Sequence, residues 1–181
     1  MPGHKKRIRN WIIALVLLGL LVWGLYPSNK GPVDKGPHVT ISPEALQSVP
    51  AGFIHWHPHL IIKVDGVEQS IPANIGINIG RVRDTDVGME ARMAPTHTHK
   101  ADGIIHVENI NARAKPETLT LGYFFYVWGK IFNSTCIFEY CNDKGTLTMT
   151  VNGNENQEFQ NYLMHDKDEI MIEYTSKRGP S

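Results

Sequence analysis

Residues 11 to 26 read WIIALVLLGLLVWGLY, an apolar run without a charged side chain. Such a run, with Trp and Tyr near its ends, is typical of a helix that spans a bilayer, although its sixteen residues need the flanking residues to complete the span. Four basic residues precede it, at positions 5, 6, 7 and 9, and basic flanks stay in the cytoplasm. We therefore predict a single-pass anchor in the cell membrane, with the C-terminal part of the chain on the extracytoplasmic side.

A cleavable signal peptide is the competing interpretation, because a basic segment followed by an apolar one fits both. The next residues, YPSNKGPVDKG, contain neither a small-x-small cleavage site nor a cysteine for lipid attachment. These features favour an uncleaved anchor over a signal peptide.

The charge balance argues against a nucleic-acid partner. The 18 Lys and Arg equal the 18 Asp and Glu in number, but four of the basic residues precede the apolar run, which leaves the exported part acidic. Phosphate backbones are bound by basic surfaces. We expect the chain to bind the membrane through residues 11 to 26 and to have a membrane protein as a partner.

The 181 residues suffice for one domain with a hydrophobic core. Ser42-Pro43-Glu44 predicts the start of a short helix over 43–48, inside a stretch rich in proline, glycine and polar residues. The predicted organisation is a cytoplasmic basic segment at 1–10, an anchor at 11–26, a tether at 27–50, a β-rich domain at 51–175 and a tail at 176–181.

Two segments carry the signature of a β-hairpin. LIIKVDGVEQSI contains Asp65-Gly66 and LTMTVNGNENQEF contains Asn152-Gly153, and both dipeptides readily adopt the positive φ angles of a type I′ turn. The two segments align with each other, which indicates either a weak internal duplication or the same turn chemistry used twice. Alternation in DEIMIEY predicts a last strand over 168–174.

The segment PETLTLGYFFYVWGK predicts the main helix. Thr118 or Thr120 is a candidate N-cap, Gly129 ends the helix, and large apolar side chains recur between them at spacings of three and four. Such a stripe is typical of a helix face packed on a core. The expected fold is α+β and β-rich, an antiparallel sheet or small barrel with one main helix.

Histidines cluster in two segments. HWHPHL places three of them at alternate positions, so one extended strand would put their rings on the same face, about 7 Å apart. Pro58, inside this triplet, predicts that the strand lies at a sheet edge or carries a bulge. THTHKADGIIHVE adds three more. His97 and His99 repeat the alternation, and after a turn at 101–103 a return strand places His106 and Glu108 on the same side.

If the second segment lies beside the first, four to six imidazoles and one carboxylate converge on one patch. The predicted metal ligands are His55, His57, His59, His97, His99 and His106. Imidazole binds zinc, copper, iron and nickel, and the exported location favours copper or zinc. Met89 and Met93 nearby are either copper(I) ligands or packing residues. A metal-free cluster that is structural or responds to pH is the alternative interpretation.

Established enzyme motifs fit the chain poorly. The residues after His99 depart from the H-x-H-x-D-H pattern of metal-dependent hydrolases and from the cupin pattern. Glu108 remains a candidate general base of a metal-dependent enzyme, so the sequence neither predicts nor excludes catalysis.

The two cysteines, Cys136 and Cys141 in CIFEYC, are close enough in sequence to form a disulfide in an exported domain. Their C-x4-C spacing differs from the C-x-x-C of thioredoxin-like redox centres. We expect a structural disulfide, with an exposed reactive thiol pair as the alternative.

The blocks HWHPHL, IPANIGI, HTHKADGIIHVE, TLGYFFYVWG and CIFEYC together resemble an uncharacterised family of membrane-anchored, exported archaeal and bacterial histidine-rich domains. The resemblance covers roughly residues 54 to 174 and implies that these blocks form one unit, without implying an activity. We expect a membrane-anchored extracytoplasmic domain that binds copper or zinc, in metal handling or in an accessory role. The alternatives are a metal-free interaction module or accessory subunit of a membrane complex, and a metal-dependent enzyme.

Overall fold

Strands dominate the residues that the computed structural model describes, which are 36–80, 93–109 and 115–177. The strands are β1 (Ile54–Trp56), β2 (His59–Val64), β3 (Val67–Glu68), β4 (Thr96–His97), β5 (His106–Asn109), β6 (Cys136–Ile137), β7 (Tyr140–Cys141), β8 (Gly145–Val151), β9 (Asn154–Glu155) and β10 (Glu169–Ser176). The helices are α1 (Pro43–Gln47) and α2 (Leu121–Trp128), with 3₁₀ turns at Pro116–Leu119 and Phe159–Asn161. The β-rich prediction is confirmed.

A five-stranded sheet has the order β3-β2-β10-β8-β9, with β10 at its centre. The φ angles of Asp65 and Gly66 are 50° and 79°, and those of Asn152 and Gly153 are 52° and 79°. Both predicted hairpins therefore turn through two residues of positive φ, as a type I′ turn requires. The predicted last strand is present as β10, which pairs in parallel with β2 and antiparallel with β8.

Two smaller sheets accompany the main one. A three-stranded antiparallel sheet has the order β1-β5-β4, and the β6-β7 pair carries the Cys136–Cys141 disulfide. In the described part of the chain no sheet closes on itself, so the prediction of a sheet is confirmed and the small barrel is wrong. The main sheet is mixed rather than purely antiparallel, because the chain reaches β10 from β2 through a long connection.

Helix α2 begins and ends where the sequence predicts. The side chain of Thr120 accepts a hydrogen bond from the backbone N–H of Tyr123, and Gly129, at a φ of 73°, ends the helix. The apolar stripe is buried, with Leu121, Phe124, Phe125 and Trp128 in the core. Since α2 contacts β4, this core supports the strand that carries His97.

Several predicted features lie outside the described residues. These are the basic segment 1–10, the apolar run 11–26, the tether up to residue 35, Met89, and the tail from residue 178. Within 36–80, 93–109 and 115–177, no helix is long and apolar enough to cross a membrane. The short helix predicted after Ser42 is present as α1, with the Ser42 side chain as its N-cap.

The segment HWHPHL passes between two sheets instead of forming one strand. β1 ends before Pro58 in the three-stranded sheet, and β2 begins after it in the five-stranded sheet. Backbone hydrogen bonds fix the crossing: the carbonyl of Pro58 accepts from Ile105 at 2.9 Å, and the N–H of Leu60 donates to Gly103 at 2.9 Å. The expected strand is therefore interrupted at His57 and Pro58, although His59 still forms an antiparallel bridge with Ile104. Proline, which has no N–H to donate, stands at this interruption.

Asp168 is a buried carboxylate that fixes the turn before β10. Its Oδ2 accepts hydrogen bonds from the Tyr162 hydroxyl and the His165 backbone N–H, both at 2.7 Å, and its Oδ1 accepts from Asn152 Nδ2 at 3.0 Å. Its carbonyl accepts from the N–H of His59 at 2.7 Å, next to the crossing. Burial raises the pKa of Asp168, but the hydrogen bonds from His165, Tyr162 and Asn152 outweigh it and hold that pKa below its usual value.

Asp168→Ala is expected to lower the free energy of unfolding by about 2–4 kcal/mol, because it leaves three donors without their acceptor. Urea unfolding at pH 7 measures this change. Asp143→Ala removes an exposed carboxylate of the same charge and should change the free energy by less than about 0.5 kcal/mol. Equal losses in the two variants would contradict the role assigned to Asp168.

Candidate metal centre

The three-stranded sheet presents histidines on one face. Its central strand carries His106, and β4 places His97 directly opposite. On the other side β1 pairs His55 with Glu108, and continuing that register one residue past Trp56 puts His57 opposite His106. Residues directly opposite in an antiparallel pair point to the same face. The central histidine is therefore flanked by a histidine on each neighbouring strand.

The distances confirm that five of the predicted histidines come together. The ring centroid of His106 lies 4.7 Å from that of His57, 5.4 Å from that of His97 and 4.5 Å from that of His99. The rings of His55 and His57 are 4.7 Å apart, and those of His97 and His99 are 4.8 Å apart. Residues about forty positions apart in the sequence thus share one site.

The ring nitrogens fall into two groups of three. In each group the ligand atoms lie within 4.8 Å of one another. One group is His55, His57 and His106; the other is His97, His99 and His106. Either group could hold a metal ion, and His106 belongs to both.

His97 and His99 have the spacing of two ligands on one ion. Nδ1 of His97 lies 2.9 Å from the carbonyl oxygen of Ala94, so it carries the proton and leaves Nε2 with a lone pair. That Nε2 is 3.2 Å from Nε2 of His99. Two nitrogens bound to a tetrahedral ion at about 2.0–2.1 Å lie about 3.3–3.4 Å apart. A metal between them therefore needs almost no movement of either ring.

His106 has a buried nitrogen that nothing satisfies. Its Nδ1 is inaccessible to solvent and has no hydrogen-bond partner among the described residues. Buried polar atoms in folded proteins are nearly always paired, and an unpaired one at a cluster of ligands points to a bound ion or water. This atom is the strongest sign that the site holds an ion or water in addition to the described side chains.

The surroundings keep two of the five rings neutral. Burial lowers the pKa of His97 to about 4, with further lowering from His99 and His55 and an opposing contribution from the Ala94 carbonyl. Burial also lowers the pKa of His106 to about 4, aided by neighbouring histidines and opposed by Glu108. Metal ions bind neutral imidazole, so no proton has to leave these two rings before they bind a metal at neutral pH.

A carboxylate lies beside each of the two outer histidines of the first group. Oε1 of Glu108 lies 3.0 Å from Nε2 of His55, which leaves Nδ1 of that ring for a metal. Oδ1 of Asp166 accepts the backbone N–H of His57 at 2.9 Å and lies 3.7 Å from its Nδ1. Carboxylates behind ligand histidines fix their orientation and raise their basicity. The sequence gives no signal for Asp166, which is far along the chain from His57.

His59 does not join the other five rings. It begins β2 on the far side of the crossing, and its Nδ1 lies 2.9 Å from Oε2 of Glu169. Its ring lines a cleft beside Asp102 and Gly103. Five of the four to six expected rings therefore converge, namely His55, His57, His97, His99 and His106. His59 is the predicted ligand that stays apart, because it begins β2 in the other sheet.

A serine, a histidine and an aspartate also meet near α1. Oγ of Ser48 lies 3.0 Å from Nε2 of His165, whose Nδ1 is 3.7 Å from Oδ2 of Asp168. The only proton of the Ser48 hydroxyl is donated to the carbonyl of Ala45 at 2.7 Å, so the histidine cannot accept it. A nucleophilic serine must donate to its base. We interpret this arrangement as a stabilising contact at the end of α1.

The metal-free protein is expected to lose stability as the pH falls from about 6.5 to about 4. His97 and His106 have a pKa of about 4 in the folded protein against an ordinary 6.5, so in this window the unfolded chain binds protons that the folded chain does not. Above pH 6.5 and below pH 4 these two groups should cause no further change in the free energy of unfolding. The expected loss is on the order of 3 kcal/mol after allowance for the partial exposure of His106.

Urea unfolding with EDTA present, repeated across this pH range, measures the effect. His97→Gln should reduce the slope of the free energy of unfolding against pH, because one of the two contributing groups is removed. His38→Gln, at an exposed position, should leave this slope unchanged. A slope that is the same in wild type and His97→Gln would contradict the assignment.

No family model, curated protein or solved structure matches the chain. The resemblance of its histidine and aromatic blocks to an uncharacterised family of exported domains therefore stays a prediction.

Proposed function

We propose that the chain is a membrane-anchored, extracytoplasmic domain that binds copper or zinc through its histidine cluster, in metal handling or in an accessory role. One observation carries the metal proposal. The Nε2 atoms of His97 and His99 lie 3.2 Å apart, at the separation of two ligands on a tetrahedral ion, and a nitrogen of His106 completes a group of three. The anchor and the location rest on the apolar run at 11–26.

The donor set supports copper or zinc. All members of both groups are imidazoles, and neutral imidazole is a good ligand for copper(II) and zinc, whereas magnesium and calcium prefer oxygen. The Cys136–Cys141 disulfide accords with an oxidising, exported location. A copper(I) role for Met89 and Met93 stays a prediction, because Met89 lies outside the described residues.

The exposure of the site favours metal exchange over a purely structural ion. The side chains of His55 and His57 are 47% and 42% exposed, and His99 is exposed as well. Closed structural zinc sites bury their ligands, whereas these rings can meet an incoming ion or a partner protein. Glu108 is held against His55, which favours an orienting role over that of a general base.

A metal-free interaction module remains the alternative, with histidines that only hydrogen-bond or sense pH. It accounts for the Nε2 contact of His97 with His99 as an ordinary hydrogen bond. It gives no role to the buried, unpaired Nδ1 of His106.

The decisive experiment compares two triple variants of the full chain, purified in detergent without a histidine tag. Wild type is expected to retain at least about one copper or zinc ion per chain against a competing chelator. Replacing His57, His97 and His106 with alanine removes ligands from both groups. The metal affinity should fall more than about 100-fold, which exceeds the usual effect of losing a residue that only orients a ligand.

The matched control replaces the three described histidines outside the groups, His38, His59 and His165, with alanine. It should keep the metal of the wild type. Metal analysis and calorimetric titration give the readout, and far-UV circular dichroism establishes that each variant is folded. Absence of metal from wild type, or equal loss in both triple variants, would refute the proposal.

Glu108→Gln tests the orienting carboxylate separately. Because the amide cannot accept the His55 N–H as strongly, metal affinity is expected to fall about 10- to 100-fold while the stoichiometry is unchanged. Glu117→Gln, a substitution of the same kind in the 3₁₀ turn Pro116–Leu119, should have no effect on affinity in the same calorimetric titration. An unchanged affinity in Glu108→Gln would remove this residue from the site.

A further inference from the structure

His106 stands between two separate pairs of histidines. On one side are His55 and His57, supplied by β1 and the residue that follows it; on the other are His97 and His99, supplied by β4 and the turn after it. The central ring lies 4.7 Å from that of His57 and 5.4 Å from that of His97. This symmetry follows from the sheet order, because β5 lies between β1 and β4.

One ion does not account for both pairs. The ligand atoms form two groups of three that share a single member, not one group of five within the same distance of one another. A tetrahedral zinc takes four ligands, so a single ion would leave at least one ring of the cluster unused. Two ions, each with one pair and the shared ring, use all five.

The chemistry of imidazole allows the shared ring. Its two nitrogens lie on different edges, and each can bind a metal when the ring has no proton. Nδ1 of His106 is buried and has no hydrogen-bond partner in the described part of the chain, so no hydrogen bond described there has to break before this nitrogen binds a metal. When the second ion binds, the single N–H proton of the neutral ring leaves to solvent, and the resulting imidazolate offsets part of the added positive charge.

We propose that the cluster is a two-metal centre in which His106 bridges one ion held by His55 and His57 and a second ion held by His97 and His99. This inference rests on the proposed function and extends it from metal binding to a paired site. Glu108 and Asp166 stand beside the first pair, so carboxylate charge is available where the first ion adds positive charge.

The test uses the full chain in detergent, freed of metal and then loaded with zinc or copper(II). Wild type is expected to bind about two ions per chain by metal analysis. The double variant His55→Ala/His57→Ala and the double variant His97→Ala/His99→Ala are each expected to bind about one, because each removes one pair and leaves the other with the shared ring. His59→Ala, adjacent in sequence but outside both groups, should still bind about two.

Electron paramagnetic resonance tests the bridge itself. Copper(II) ions joined through one imidazolate couple magnetically. The integrated signal of the wild type should therefore be well below the value expected if all of its bound copper were isolated. In each double variant the remaining copper is isolated, and the signal should account for all of it. In His106→Gln the two positions lose their bridge, and any copper that still binds should give its full signal.

The outcomes separate this inference from the function on which it rests. One ion in wild type, lost in both double variants, would overturn the two-metal centre and leave the metal-binding domain intact. Two ions with a full copper signal would overturn the bridge. No bound metal in wild type would overturn both proposals. If His106→Gln fails to fold, the stoichiometry and signal of the wild type and of the two double variants still decide.

Discussion

The crossing at Pro58 is the constraint on which the arrangement of the domain depends. β1 ends at Trp56, and after His57 and Pro58 the chain enters β2 of the other sheet at His59. Backbone hydrogen bonds from Ile105 to Pro58 and from Leu60 to Gly103 fix both sheets to the same short segment. The three-stranded sheet that carries the histidines is thereby tied to the sheet that β10 organises. A small shift at this crossing would change the distance between His57 and His106, because His57 lies beyond the last pair of β1.

Burial and ligand geometry act together on the histidines. Two imidazolium ions about 4.7 Å apart would repel by about 3–4 kcal/mol at an effective dielectric constant near 20, so five charged rings could not share this face. The apolar packing behind β4 lowers the pKa of His97, and burial lowers that of His106. The same packing that stabilises the sheet therefore also prepares neutral nitrogens. At neutral pH His97 and His106 can therefore bind a first cation without releasing a proton.

Local sequence signals were sufficient to predict the hairpins and the main helix. They did not predict which distant strands pair. Asp65-Gly66, Asn152-Gly153, Thr120 and Gly129 each act through their own backbone, so the hairpins and the limits of α2 could be predicted from neighbours in sequence. The two H-x-H patterns and the return strand identified the candidate rings, but their convergence stayed conditional because it depends on the long-range pairing of β1 with β5. His59 was misplaced because its face depends on which sheet β2 joins. Asp166 and the parallel pairing of β2 with β10 depend on contacts more than a hundred residues apart, which no local pattern specifies.

The position of the central histidine connects fold and function. In an antiparallel sheet of three strands only the middle strand has neighbours on both sides, and His106 is the ring on that strand which faces His57 and His97 together. A histidine on either outer strand could belong to one group only. The exposed rings, His55 and His99, belong to different groups, so each pair includes one ring open to solvent while the shared ring stays partly buried. Under the two-metal proposal, an ion can therefore enter or leave one position while His106 and the opposite pair hold the other. That arrangement suits a site that exchanges metal better than one that only stabilises a fold.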